Sequence, residues 1–149
     1  MKIYLDCCCY NRPFDDQTQE KIRIESEVIL TIINMFRQNN CEIVGSSALD
    51  IEIEQIKDIA KKEKVKIFYE QTITQKMKIT DDILKKMQEM SEEVNIKKFD
   101  LLHLLLAENA NANVLLTTDD KFEKASSKLN PKVKVLNPIK YFLEIMQND

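Results

Sequence analysis

The chain has 149 residues, a formal net charge of −3, 44% hydrophobic residues and 32% charged residues. That length suits a single domain over residues 1–149 with its own core and no need for staples. The acidic balance excludes a protein that holds nucleic acid by bulk positive charge, and the longest apolar run, Leu101 to Ala107, is far too short to span a membrane.

Met1-Lys2-Ile3 leads straight into a strand pattern, so no signal peptide is expected and a cytoplasmic location follows as the default. Ile3 to Asp6 reads as a short buried strand, and Cys7 to Asp16 as a loop with a turn at Pro13. A helix follows from about Gln19 to Gln38. Its stripe of Ile24, Val28, Ile32 and Met35, widened by Ile22, Ile29, Ile33 and Phe36, has helical spacing. Glu42 to Ser46 is the second strand, and Ser46 or Ser47 caps a helix to about Lys62 with Leu49, Ile53, Ile56 and Ala60 facing inward.

Val65 to Gln75 reads equally as strand or short helix. Thr80, with Asp81 and Asp82 after it, starts a helix to about Glu93. Asp100 opens a nearly all-apolar helix to about Asn111, Val114 to Thr117 is a strand, and Thr118 caps a helix from Asp119 to about Lys128. Val133 to Leu136 is a strand, and Pro138 begins a last helix to Gln147. Strands alternating with helices predict an α/β fold, a three-layer α/β/α sandwich around a parallel sheet of four to five strands.

Cys7, Cys8, Cys9 and Cys41 read as free, small hydrophobes, since neither disulfide geometry nor a metal-thiolate spacing is present. The lysine clusters at 57–66 and 76–86 read as solvated helix faces.

Four acids sit where apolar segments run out: Asp6, Glu52, Asp100 and Asp119. Three of them follow strand-like runs, and residues just beyond the carboxyl ends of parallel strands meet at one edge, where ligands bind. Two carboxylates about 4 Å apart cost on the order of 4 kcal/mol at an effective dielectric of about 20. A hard divalent cation, Mg²⁺ or Mn²⁺, is the simplest neutraliser. Three of these acids also have a plainer role: Asp6 and Asp119 as turn or helix caps, and Glu52 as one surface acid beside Asp50 and Glu54. Asp100, His103 and Ala107 share one face of a buried helix, so the polar pair needs partners. For His103 the plain reading, a hydrogen-bonded core histidine, is preferred.

Taken together, Ile-Tyr-Leu-Asp6, Ser46-Ser47 followed by Glu52, Asp100-x-x-His103-x-x-x-Ala107 and Leu116-Thr117-Thr118-Asp119-Asp120-x-Phe122 resemble a PIN domain in order and spacing over nearly the whole chain. The resemblance implies a small nuclease fold in which acids like Asp6, Glu52, Asp100 and Asp119 hold one or two Mg²⁺ or Mn²⁺ ions. Many members are ribonucleases, including toxins of toxin–antitoxin pairs. An RNA substrate, an antitoxin protein and a homodimer are therefore expected, the last with an apolar patch at Ile73, Met77, Ile79, Met87 and Met90. The chain departs from the pattern in carrying Cys7 where many members have Thr or Ser, and in a longer loop at 11–16. Arg12, beside Asp6, is the candidate phosphate contact.

An aspartate-based phosphotransferase needs an acid two residues after Asp6, and Cys8 stands there, which removes it. A PIN-like scaffold that binds RNA or protein without cutting is the non-enzymatic alternative.

Overall fold

Parallel strands that are covered on both faces carry continuous apolar runs, and Ile3, Tyr4, Leu5, Ile43, Val44, Leu115 and Leu116 are all fully buried. They belong to β1 (Lys2–Leu5), β2 (Glu42–Ser46) and β4 (Val114–Leu116), which with β3 (Gln75–Met77) and β5 (Lys134–Leu136) form an all-parallel sheet in the order β3-β2-β1-β4-β5. The computed structural model describes residues 1–148. Parallel neighbours require crossovers, and helices supply them: α1 (Cys7–Asn11), α2 (Glu20–Gln38), α3 (Ser47–Glu54), α4 (Ile59–Thr72), α5 (Asp81–Glu93), α6 (Lys98–Asn109), α7 (Asp120–Ser127) and α8 (Pro138–Gln147). α2 packs on α8, and α6 packs on α3 and α5, giving the expected three-layer sandwich. No described helix is long and apolar enough to cross a membrane.

Helix α6 is the spine of the core. Leu101 and every residue from there to Ala107 is buried, and each leucine removed from water contributes roughly 1.5–3 kcal/mol. Gly45 in β2 permits a second close contact. A Cβ there would lie 2.7 Å from Ile73 Cδ1 and from the Tyr69 hydroxyl, so only glycine lets α4 settle against the strand.

Three expectations need correction, and one open alternative is decided. The stretch after Asp6 is α1 and a 3₁₀ turn (Arg12–Phe14) rather than a loop, because the Asp6 side chain caps the first turn at Cys9 N–H. The helix expected from 47 to 62 is broken after Glu54, since Asp58 caps a new helix at Lys61 N–H. Ala60 is consequently exposed. Of the two alternatives for the stretch from Val65, the helix holds as far as Thr72, burying Val65 and Tyr69 one turn apart, and β3 follows as the fifth strand. Asp119, not Thr118, caps α7.

The core stripe of α2 is also rotated from expectation. Ile29, Ile32, Ile33 and Phe36 are buried, whereas Ile24 is exposed. The rotation brings Glu25 fully inside, where it accepts from Arg12 Nε at 2.9 Å and Asn137 Nδ2 at 2.8 Å. Of the expected dimer patch, Met87 is buried, and Ile73, Met77, Ile79 and Met90 are partly buried against the core. The four cysteines are free, as expected.

Candidate active site

The first strand lies at the centre of the sheet, and the chain order turns from one side of it to the other between β1 and β4. That is where open α/β sheets bind ligands. Leu5 is in register with Leu116, and the Asp6 N–H donates to the Leu116 carbonyl at 3.1 Å. Asp6 therefore leaves the sheet beside Thr117, two residues before Asp119. From the other side, Ser46 ends β2 and caps α3 through Leu49 N–H at 3.2 Å, which sets the helix that carries Glu52. Helix α6 brings Asp100 in its first turn and His103 one turn later.

Asp6, Glu52, Asp100 and Asp119 line one cavity of about 400 Å³, together with Cys7, Cys8 and His103, and Lys97, Lys98 and Phe99 at the head of α6. The four acids named from sequence thus share one wall. Arg12 does not. Its guanidinium is engaged by Asp15 at 3.0 Å and Glu25 at 2.9 Å, and it is absent from the cavity lining. The cavity's cations are Lys97 and Lys98 instead, which sequence reasoning passed over because they precede an apolar helix without a pattern of their own.

The electrostatics of the wall are strained. Asp100 is pushed up to about 6, by burial first and then by the charges of Asp6, Asp119 and Glu52, with His103 opposing. Asp6 is buried, and desolvation with the adjacent Cys8 thiol raises it well above the ordinary carboxylate range. Cys8 Sγ donates to Asp6 Oδ1 at 2.6 Å, a contact that composition could not reveal. Asp119 accepts from Lys121 and Phe122 N–H through one oxygen, Oδ1, so it is cap and cavity wall at once.

His103 is buried and doubly bonded, to the Tyr4 hydroxyl through Nδ1 at 2.6 Å and to Glu52 through Nε2. The core-histidine reading is right about satisfaction, but one of the partners is a wall acid.

The donor set suits a hard divalent cation, with four oxygen-donating carboxylates whose mutual repulsion a positive ion would relieve. The tightest set of candidate ligand atoms among the described residues is Asp6, Cys8 and Cys9, within 4.8 Å of one another. The four carboxylates are set more widely. Cys9 is fully buried and donates to the Leu116 carbonyl at 3.3 Å, so it faces away from this chemistry.

A family model described as PIN domain matches residues 10–128. The chain belongs to the PIN domain family. Glu52, Asp100 and Asp119 fall inside the matched stretch of this PIN domain, while Asp6 and β1 precede it and are placed by the fold. Two solved structures share that fold. A chain of the crystal structure of FitAcB from Neisseria gonorrhoeae is 14% identical with a TM-score of 0.56, over 91% of this PIN domain chain and 97% of that one. A chain of VapBC2 from Rickettsia felis, solved bound to a DNA fragment from their promoter, is 15% identical with a TM-score of 0.60, over 92% and 98% respectively. No curated protein matches.

Proposed function

We propose that this PIN domain is a metal-dependent ribonuclease that hydrolyses RNA phosphodiester bonds. The observation that carries the proposal is the convergence of Asp6, Glu52, Asp100 and Asp119 on one cavity at the sheet's switch point, with Asp100 raised to about 6 by burial first and then by its acidic neighbours. Asp6 and Asp100 would be the principal ligands of Mg²⁺ or Mn²⁺, with Glu52 and Asp119 direct or through water. A divalent ion bound there supplies a Lewis acid for the phosphate and activates a water as nucleophile.

The chain's own residues do the remainder. Lys97 and Lys98 stand at the cavity mouth to meet backbone phosphates, a role that Arg12, tied to Glu25, is not free to take. Phe99 offers a ring for an unpaired base, and stacking of that kind contributes roughly 1–3 kcal/mol per base. The substrate is therefore single-stranded RNA. No covalent nucleophile is needed, so Cys7 and Cys8 are walls rather than reactants.

The resemblance to toxins of toxin–antitoxin pairs supports a cytoplasmic setting and an inhibitory partner protein. The apolar surface left for a second chain, antitoxin or like copy, includes Leu143 and Met146 of α8 and Ile59 of α4, all more than half exposed. Cleavage of a single-stranded RNA with Mg²⁺ or Mn²⁺, abolished by chelator and by Asp6→Asn, is the expected result. RNA binding without cleavage under any divalent ion would overturn the ribonuclease reading in favour of a scaffold.

A further inference from the structure

We propose that His103 is a positioning residue that steers the Glu52 carboxylate into the acidic cavity through a buried relay anchored at Ser46. The proposal rests on the metal-site reading above and adds the part that prepares the site before an ion arrives.

Glu52 needs such help. It lies in the second turn of α3, its side chain is 27% exposed, and water is open to it. Asp100 in the same cavity repels it, and a free glutamate loses rotamer freedom when ordered. Both effects favour a carboxylate turned outward. His103 Nε2 bonds it inward instead.

The ring that does this has no freedom of its own. His103 is 1% exposed, and its Nδ1 meets the Tyr4 hydroxyl at 2.6 Å. That hydroxyl meets Ser46 Oγ at 2.6 Å, and Tyr4 and Ser46 are fully buried. Because a carboxylate only accepts, Nε2 carries the hydrogen in the Glu52 bond whichever way the Tyr4 and Ser46 protons point.

The relay also closes on itself. Ser46 Oγ accepts from Leu49 N–H and so caps the helix that carries Glu52. One hydroxyl fixes the start of α3, and the chain of Tyr4 and His103 fixes its acid two turns of contact later. Helix α6 thereby contributes one wall carboxylate, Asp100, and the group that orients another, Glu52. Partners that orient a ligand in this manner typically change metal affinity by roughly 10–100-fold when removed.

The chain has a single histidine, so its imidazole signals in a ¹⁵N-labelled protein need no assignment. In metal-free protein the relay predicts a slowly exchanging Nε2 proton that shifts in Glu52→Gln and in Tyr4→Phe. Mn²⁺ affinity is then measured by calorimetry on folded protein. His103→Ala and Tyr4→Phe should weaken it, His103→Ala by roughly 10–100-fold, and His103→Gln should recover much of the loss because its amide can still donate to Glu52. If His103→Ala does not fold, Tyr4→Phe and His103→Gln carry the test, with Tyr4→Phe weaker than wild type. A purely structural histidine would lower the melting temperature of these variants and leave the Mn²⁺ affinity of the folded protein unchanged, which overturns the proposal. An Nε2 proton that ignores Glu52→Gln also overturns it. Wild-type protein that shows the coupled Nε2 proton but takes up no Mn²⁺ refutes the metal-site reading instead, and with it the positioning role toward a metal.

Discussion

Replacing Asp100 with Asn should stabilise the metal-free protein, and only above the acid range. The carboxyl titrates near 6 in the fold against about 3.9 in an unfolded chain. A difference of about two units is worth roughly 3 kcal/mol at full burial, and solvent screening of this part-exposed carboxyl lowers that to about 2 kcal/mol. The sign follows from which state holds the proton. The native protein binds it more tightly, so stability is full below about pH 4, falls as pH rises through 6, and stays low above that. Asn removes that loss. Against it stands the favourable place of a carboxylate in the first turn of α6, worth roughly 0.3–1 kcal/mol. The net gain at pH 8 is about 1 kcal/mol, or roughly 2–4 °C in melting temperature for a chain of this size. Chelator-treated Asp100→Asn and wild type, melted at pH 8 and at pH 4, provide the assay. The gain should appear at pH 8 and vanish at pH 4. With millimolar Mn²⁺ the order should reverse, because binding to the native state stabilises it by mass action and the variant binds less. A variant that melts lower than wild type without metal at pH 8, or that gains equally at both pH values, refutes the crowded-carboxylate argument.

Asp119→Asn keeps a capping oxygen for α7, so its metal-free stability should stay within about 0.5 kcal/mol of wild type while RNA cleavage is lost; Asp120→Asn, at an exposed residue paired with Lys21, is the control and should cut normally. Gly45→Ala drives a methyl to 2.7 Å from Ile73 and Tyr69, and urea melts should show a loss of about 1–3 kcal/mol. Arg12→Ala leaves the buried Glu25 charge with Asn137 as its remaining partner and should cost about 3–5 kcal/mol in denaturant melts. Were Arg12 a phosphate contact, the KM for RNA would rise with stability nearly intact.

The sequence made the sheet readable because buried parallel strands are short apolar runs, and Ile3-Tyr4-Leu5 and Val114-Leu115-Leu116 are flanked by polar residues, Lys2 and Asp6 for the one and Asn113 and Thr117 for the other. Asp6 and Asp119 were legible for the same reason, standing next to those ends. Glu52 was not distinguishable from Asp50 or Glu54 by local pattern, and what sets it apart is a bond to a histidine 51 positions away. The break at 55–58 went unseen because Asp58 looks like any exposed helical acid until it caps a new turn. Arg12 misled through proximity in the chain. Its guanidinium is decided by Glu25, whose burial depends on a rotation of α2 that the alternative stripes of its many isoleucines leave undetermined. Tyr4, the middle of the relay, reads from sequence as one more core aromatic.

The central place of β1 has a consequence in time. The first strand synthesised has partners at Glu42–Val44 on one edge and Val114–Leu116 on the other. During translation at roughly 5–20 residues per second, its second edge waits on the order of ten seconds for β4. Asp100 and Asp119 leave the ribosome in that same late stretch, so the half-built sheet has Asp6 and Glu52 but none of the rest of the acidic wall. A nascent chain of this protein therefore lacks half of its acidic wall until its sheet is nearly closed.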